Sequence, residues 1–245
     1  MADRPDAKLA ARVLPAPLYK ALRHVFAQEP ADTMLVGGTA LAGYYAGHRR
    51  SDDLDLFVRN TSALQATRLA VESLTTLGAS LHASQRTPQF FDATCTLSRH
   101  AFTVQIVVDA VVFQVGRSIR AADGVAVADL QTLLRQKAAT LVSRCSEKDL
   151  YDLLWLFRRS PKLRYDALVE LGATIDRGMN AEAVMLSLTG TTFRKAACDF
   201  SRTQTAGAVF RDVSRLKESL ALAFDKLARK QPVGPVGELI RRLKR

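Results

Sequence analysis

The chain has 245 residues, 48% of them hydrophobic, which suits one large domain or two small ones around a sizeable core. Its 35 Lys and Arg outnumber its 24 Asp and Glu and give a net charge of +11. Such a charge favours a polyanionic partner, nucleic acid or a membrane surface, although some proteins are simply basic. Cys95, Cys145 and Cys198 are widely spaced and form no metal or redox motif, which indicates a reducing cytosol.

The distribution of apolar residues argues against secretion and membrane insertion. The N-terminus is rich in charge and has no long apolar run, so no signal peptide is predicted. The most apolar stretch, residues 102–115, is interrupted by Gln105, Asp109 and Gln114, and it is too short and too polar to span a bilayer. We therefore expect a cytoplasmic protein with no membrane partner.

The first third of the chain alternates between helical and strand patterns. The predicted elements are a helix at 16–28, a strand at 33–36, a helix at 39–47, a strand at 54–58 and a helix at 62–77. Gly47 and Gly78 follow the second and third helices and are their predicted stops.

The pattern changes twice in the remainder of the chain. Residues 81–114 are β-like, with predicted strands at 90–97 and 102–108 and a turn at 98–100. Near Ala128 the helical pattern returns, with Asp129 as a predicted N-cap. Further helices are predicted at 130–142, 148–157 and 165–175, and the rest is mostly helical with breaks at 190–192 and 232–237. We therefore predict an α/β domain at 1–125 and a helical domain at 126–245.

Residues 34–58 carry the most informative pattern, an apolar run that ends in Gly37-Gly38, a helical segment, and then Asp53-Leu54-Asp55. Side chains two apart on a strand share a face, so Asp53 and Asp55 form a like-charged pair that a cation would stabilise. The two glycines let backbone N–H groups approach a phosphate. Carboxylates beside such a turn indicate phosphoryl or nucleotidyl transfer, and the alternative is a strand–helix–strand unit whose Asp residues cap a turn.

A second set of charged residues lies in the predicted helices. Lys137 and Arg144 are seven apart and share a helix face, and Asp149 and Asp152 share a face of the next helix. Taken alone, faces of this kind are usually solvated surface.

The two sets together resemble the nucleotidyltransferase superfamily related to DNA polymerase beta, and within it the AbiEii/AbiGii toxin family of toxin–antitoxin systems. The residues that carry the resemblance are Gly37, Gly38, Thr39, Ala40, Leu41, Arg49, Ser51, Asp53, Asp55, Lys137 with Ala138 and Ala139, and the segment from Lys148 to Asp152. It covers residues 34 to about 157, and Lys148 stands where the family often has Arg.

The resemblance implies a fold and a set of roles. The expected fold is α/β (α+β), with a polymerase-beta-like domain around a mixed sheet and a helical domain that completes the active-site cleft. Asp53 and Asp55 are expected to bind Mg²⁺, as one ion or as a two-metal site. A third carboxylate is expected from a later strand; Asp109 is the candidate, unless it only ends its strand, and Asp92 is the weaker one.

The remaining roles concern the nucleotide. Gly37, Gly38 and Thr39 are expected to line its phosphates, helped by the N-terminus of the helix that starts there. Ser51 either bonds a phosphate or orients the loop, and Arg49 holds nucleotide or acceptor. Lys137 is expected to act as a point charge for a phosphate. Asp152 is expected to accept the proton of the attacking hydroxyl or to steady Lys137, and Asp149 to be structural.

The predicted function is Mg²⁺-dependent transfer of NMP from an NTP to an acceptor by the toxin of a toxin–antitoxin or phage-defence system, with a cognate antitoxin as partner. The basic charge favours an RNA acceptor such as the 3′ end of tRNA. One alternative is a small hydroxyl compound such as an antibiotic, which the basic charge disfavours, or a protein side chain. Another is a non-catalytic module that binds nucleotide or RNA.

Overall fold

The computed structural model describes residues 4–243, with side chains described to Arg241. The last two residues of the basic run that ends the sequence therefore lie outside the described residues. The chain divides between Leu133 and Leu134 into two compact units, which we call unit 1 and unit 2. This division falls within a helix, α5 (Leu130–Ser143), eight residues after the predicted boundary at 125/126.

Unit 1 is built on a seven-stranded mixed sheet. Its strands are β1 (Thr33–Leu35), β2 (Asp53–Val58), β3 (Ser80–Arg86), β4 (Phe90–Leu97), β5 (His100–Val108), β6 (Ser118–Arg120) and β7 (Ala126–Ala128). They lie in the order β3-β4-β5-β2-β1-β7-β6. The pairs β2–β5 and β1–β7 are parallel, and the other neighbours are antiparallel. Strand β2, which carries Asp53 and Asp55, lies between β1 and β5 and is the central strand of the sheet.

The helices of unit 1 lie before and between these strands in the chain. They are α1 (Ala7–Val13), α2 (Ala16–Ala27), a π-helix (Thr39–Ala46), α3 (Thr61–Glu72) with a 3₁₀ turn (Ser73–Leu77), and α4 (Ala110–Val115). Helices α2 and α3 contact β4 and β5, and α3 also contacts β2. Burial alternates along β2, where Leu54, Leu56 and Val58 are buried and the residues between them are partly exposed. Each fully buried Leu contributes about 2 kcal/mol, and this period of two fixes which face points away from α2 and α3.

Unit 2 is helical. Besides the rest of α5 it contains α6 (Glu147–Arg159), α7 (Tyr165–Ala173), α8 (Ala181–Gly190), a 3₁₀ turn (Lys195–Cys198), α9 (Ala206–Ala228) and α10 (Val236–Leu243). The long α9 contacts α6, α7, α8 and α10. Its buried residues recur at helical spacing: Val209, Val213, Leu216, Leu220 and Phe224. Helix α9 is therefore the central packing element of this unit.

Most predicted elements are present, and the fold class is confirmed. One prediction was wrong: residues 110–115 are helical, although they belong to the stretch that appears β-like. The reason is Asp109, whose Oδ1 accepts a hydrogen bond of 2.9 Å from the Val112 N–H and so caps α4. The predicted helix at 39–47 is a π-helix that ends at Gly47, where φ is +64°.

Candidate active site

Asp53 and Asp55 lie on the face of β2 that points away from the apolar core. Both side chains are partly exposed, while Leu54 between them is fully buried. The alternation expected from the sequence is therefore present. The two carboxylates therefore share one partly exposed surface at the centre of the sheet.

The turn after β1 brings backbone against this pair. The N–H of Val36 donates to the carbonyl oxygen of Asp55 at 2.9 Å, which fixes the turn beside β2. Gly37 has φ +67°, and a Cβ built there would collide with the Asp55 carboxylate. A Cβ at Gly38 would collide with the Arg49 guanidinium and lie 2.8 Å from Ser51 Oγ. The lack of a side chain at Gly37 lets the main chain lie this close to the Asp55 carboxylate, and the lack of one at Gly38 leaves room for Arg49 and Ser51.

The π-helix begins directly after this turn, so its first N–H groups lie beside the carboxylate pair. Helix N-termini attract anions through unpaired N–H groups and the helix dipole, and π-helical turns are frequent at functional sites. The Thr39 hydroxyl donates to the Asp53 carbonyl oxygen at 2.5 Å and lies 3.1 Å from Ser51 Oγ. The side chain of Thr39 thus ties the π-helix to β2.

Arg49 and Ser51 are both buried, at 3% and 5% exposure. The Arg49 guanidinium donates to the Arg50 carbonyl oxygen at 3.0 Å and packs on Gly38, as does Ser51. Of the two roles considered for Ser51, its contacts with Thr39 and Gly38 are those of a residue that orients the loop.

The donor set at this surface suits one kind of metal. Among the described residues no group of three or more His, Cys, Asp or Glu side chains could hold an ion. Mg²⁺ is commonly held by one or two carboxylates, with phosphate oxygens and water completing its shell. Asp53 and Asp55 therefore fit a Mg²⁺ that is shared with a nucleotide, and they do not form an all-protein metal cage.

Asp109 does not belong to this group. Strands β2 and β5 are parallel, with Asp53 opposite Thr103 and Asp55 opposite Gln105. Asp109 follows four residues after Gln105, a distance of about 13 Å along the strand, so it cannot share a metal with the pair. It ends its strand and caps α4, which is the second of the two roles considered for it.

In unit 2 the ammonium group of Lys137 lies between two carboxylates. Its Nζ is 2.8 Å from Asp149 Oδ1 and 2.8 Å from Asp152 Oδ2, which both belong to α6. The three side chains are at most 5% exposed. Buried charges must be paired to be tolerated, so these residues form one electrostatic unit.

Asp149 also accepts hydrogen bonds from Arg144 and Ser146, and Ser146 forms a capping box with it at the start of α6. Burial alone would raise the pKa of Asp149, but the charges of Lys137 and Arg144 and the hydrogen bonds lower it to about 2. The contacts of Asp149 are those of a structural residue. Asp152 is fully buried against Lys137, which is the contact expected if it steadies the lysine.

Sequence reasoning missed two polar residues of β5. The Thr103 hydroxyl donates to Asp53 Oδ1 at 2.5 Å, and Gln105 lies opposite Asp55. The sequence pattern could have identified them, because Thr103 and Gln105 alternate with the apolar residues of this strand and therefore share one face.

A mixed sheet that carries two carboxylates beside a glycine turn and a helix N-terminus is typical of a nucleotidyltransferase. The sequence model of the family described as nucleotidyl transferase AbiEii toxin of a type IV toxin–antitoxin system matches residues 20–231. The chain belongs to this family, so the predicted family and enzyme class are confirmed. The match extends on both sides of the residues 34–157 that carry the sequence motifs.

One solved structure shows the same fold. The nucleotidyltransferase toxin MenT4 from Mycobacterium tuberculosis is 15% identical and superposes with a TM-score of 0.53, over 88% of this chain and 89% of its own. JHP933 from Helicobacter pylori is 14% identical, with a TM-score of 0.48 over 92% and 97% of the two chains. No curated protein matches by sequence. None of the helices within residues 4–243 combines the length and hydropathy needed to cross a membrane.

Proposed function

We propose that this toxin transfers NMP from an NTP to a hydroxyl of an RNA acceptor, such as the 3′ end of a tRNA, in a reaction that depends on Mg²⁺. The observation that carries the proposal is the contact of the Gly37 backbone with the Asp55 carboxylate. This contact supports the proposal because transfer from a triphosphate requires a phosphate-binding turn beside a metal-binding group, the roles proposed for Gly37 and Asp55.

The residues of unit 1 have separate roles in this reaction. Asp53 and Asp55 would hold Mg²⁺, which neutralises charge on the phosphates when bound. The main chain of Gly37, Gly38 and Thr39 binds and orients the phosphates. The acceptor oxygen bonds to the α-phosphorus, the bond between the α- and β-phosphates breaks, pyrophosphate leaves with the bonding electrons, and the hydroxyl proton passes to water.

In unit 2 the residue proposed to bind a nucleotide phosphate is Lys137. Its two carboxylate partners hold its ammonium group in one position and keep it charged in a buried site. A charge fixed in this way is suited to a nucleotide phosphate, and Asp152 positions it.

The distribution of charge supports an RNA acceptor. Unit 1 carries 13 Lys and Arg against 12 Asp and Glu, whereas unit 2 carries 22 against 12, a net charge of +10. A polyanion is attracted to such a unit, because bound counterions are released when phosphates are neutralised. A cationic antibiotic would need the opposite charge. A module that only binds nucleotide would not require the carboxylate pair.

The experiment compares the purified wild type with Asp53→Ala in the presence of NTPs, Mg²⁺ and total RNA. We expect the variant to lose NMP transfer, and its expression to lose the growth inhibition caused by the wild type. Asp52→Ala is the matched control, since Asp52 is adjacent but exposed, and its ion pair is with His100 at 3.4 Å. Growth inhibition by Asp53→Ala would overturn the mechanism.

Titration calorimetry separates the enzyme from a binding module. We expect NTP to bind more tightly with Mg²⁺ than without it in the wild type, and this difference to disappear in Asp53→Ala. Mg²⁺-dependent binding without any transfer to RNA, small hydroxyl compounds or protein would favour the module.

A further inference from the structure

Asp55 has two different neighbours on its two sides. On the β1 side lies the Gly37-Gly38 turn, the proposed position of the nucleotide phosphates. On the β5 side the register places Gln105 beside Asp55, and Asp92 of β4 beside Gln105. Neighbouring residues of adjacent strands project to the same face at spacings of about 4.8 Å, so these three side chains form one row.

A second row runs parallel to the first. Thr103 lies beside Asp53, to which its hydroxyl donates, and Thr94 of β4 lies beside Thr103. We call Gln105, Asp92, Thr103 and Thr94 the polar ledge. It extends the sheet face from the carboxylate pair in the direction away from the glycine turn, and it contains neither Lys nor Arg.

Hydrogen bonds fix the orientation of Gln105 within the ledge. Its Nε2 donates to Asp92 Oδ1 at 3.0 Å, and the hydroxyl of Ser84 donates to the other carboxylate oxygen. A carboxylate only accepts hydrogen bonds, so it holds the amide with the NH₂ group toward β4. The carbonyl oxygen of Gln105 is therefore turned away from Asp92 and is the acceptor that the ledge presents near Asp55.

A polar sheet face is most often solvated, and solvation alone requires no fixed side chains. Here both oxygens of Asp92 are occupied by side-chain donors, which gives Gln105 one orientation. An oriented, uncharged acceptor suits a hydroxyl group, and it does not suit a phosphate. The ledge therefore has the chemistry of a binding site for a sugar.

We propose that the polar ledge binds the terminal nucleoside of the RNA acceptor, with the Gln105 carbonyl oxygen accepting a hydrogen bond from a ribose hydroxyl. Asp92 is then a positioning residue that acts through Gln105. This inference rests on the proposed function and adds a specificity to it, because the 2′-hydroxyl is the group that distinguishes RNA from DNA at a single position.

The test measures kcat and KM for two forms of one RNA, which end in a ribose or in a 2′-deoxyribose. For Gln105→Ala we expect the KM for the ribose-ended RNA to rise about tenfold and the preference for ribose to shrink, with an unchanged KM for NTP. Gln114→Ala is the matched control, since Gln114 is an exposed residue of the same type on α4. It should leave all these constants unchanged.

A double-mutant cycle tests the role of Asp92. Asp92→Asn removes the constraint on the amide and should raise the same KM by a smaller factor. In the double variant, Asp92→Asn should not raise this KM beyond the value of Gln105→Ala alone. If Asp92 had a purely structural role, the effects of the two substitutions on KM would be additive.

The possible outcomes distinguish failure of the polar-ledge proposal from failure of the proposed function. If the wild type labels RNA and Gln105→Ala keeps both the KM for RNA and the preference for ribose, the ledge proposal is overturned and the proposed function stands. If the wild type transfers NMP to a non-RNA acceptor only, both are overturned. Additive effects of the two variants would overturn the role of Asp92.

Discussion

The two units of this toxin differ in where they keep charge. Unit 1 is nearly neutral, with 13 basic and 12 acidic residues. Its Asp53–Asp55 pair lies on a partly exposed face of the sheet, beside the Gly37-Gly38 turn. Unit 2 carries the excess of ten positive charges. The Asp53–Asp55 pair and the excess of positive charge therefore belong to different units of the chain.

The acidic residues show the same contrast. Asp53 and Asp55 are partly exposed, and we propose that they bind a ligand. Asp149 and Asp152 are fully buried and occupied by Lys137. The spacing of two Asp residues in a sequence therefore does not define their role. Their environment decides whether they can bind a ligand or form an ion pair with another side chain.

The largest expected effect tests the open pair of unit 1. Gly37→Ala places a methyl group against the Asp55 carboxylate at φ +67°, and we expect NMP transfer to fall at least about a hundredfold. Gly78→Ala is the matched control, with φ +81° and nothing within 4 Å of the added Cβ. It should be strained to a similar degree but keep its activity, and equal losses in both variants would show that backbone strain alone is responsible.

The next effect tests the buried pair of unit 2. Asp149→Asn leaves the charges of Lys137 and Arg144 poorly compensated, and we expect the free energy of unfolding to fall by about 3 kcal/mol in urea denaturation. Asp166→Asn disrupts an ion pair with Arg164 that is exposed, so it should change stability little. Similar losses in the two variants would contradict the contrast between buried and open charges.

The lowered pKa of Asp149 predicts that the stability of the fold depends on pH. Its pKa is lowered from 3.8 to about 2 in the folded chain, so the unfolded chain binds more protons between these values. The stability from Asp149 is present above pH 3.8 and is lost as the pH falls through 2. Urea midpoints should therefore fall more steeply with acid in the wild type than in Asp149→Asn, and parallel curves would argue against a charged Asp149.

The smallest effect tests the basic charge of unit 2. Arg211 and Arg215 are exposed one turn apart on α9. The KM for RNA should rise steeply with salt, and replacing both residues with Gln should lower the slope of log KM against log salt by about one unit per residue that contacts a phosphate. The KM for NTP should respond much less. An unchanged slope would place the RNA on another surface.

Local patterns predicted the part of the site that depends on local geometry. Asp53 and Asp55 share a face because a strand has a period of two, and Gly47 and Gly78 end their helices with positive φ. Residues 110–115 were misassigned because the apolar run after β5 fits a strand and a buried helix equally well. A single cap at Asp109 decided between them.

Pairing between distant strands could not be predicted. That Gln105 lies beside Asp55, and that Asp109 lies about 13 Å further along, follows from the parallel register of β2 and β5, which local sequence does not encode. The contacts of Lys137 with Asp149 and Asp152 likewise depend on how α5 packs against α6. Helical spacing predicted that Asp149 and Asp152 share a face of their helix, but not that this face contacts Lys137.

The most direct test of the central claim uses two labels on one nucleotide. The wild type is incubated with Mg²⁺, total RNA and each NTP in turn, labelled at the α- or the γ-phosphate. Transfer of NMP predicts that RNA retains the α-label, that the γ-label leaves as pyrophosphate, and that Asp55→Asn does neither. Retention of the γ-label on RNA, or α-labelling that survives in Asp55→Asn, would contradict the account.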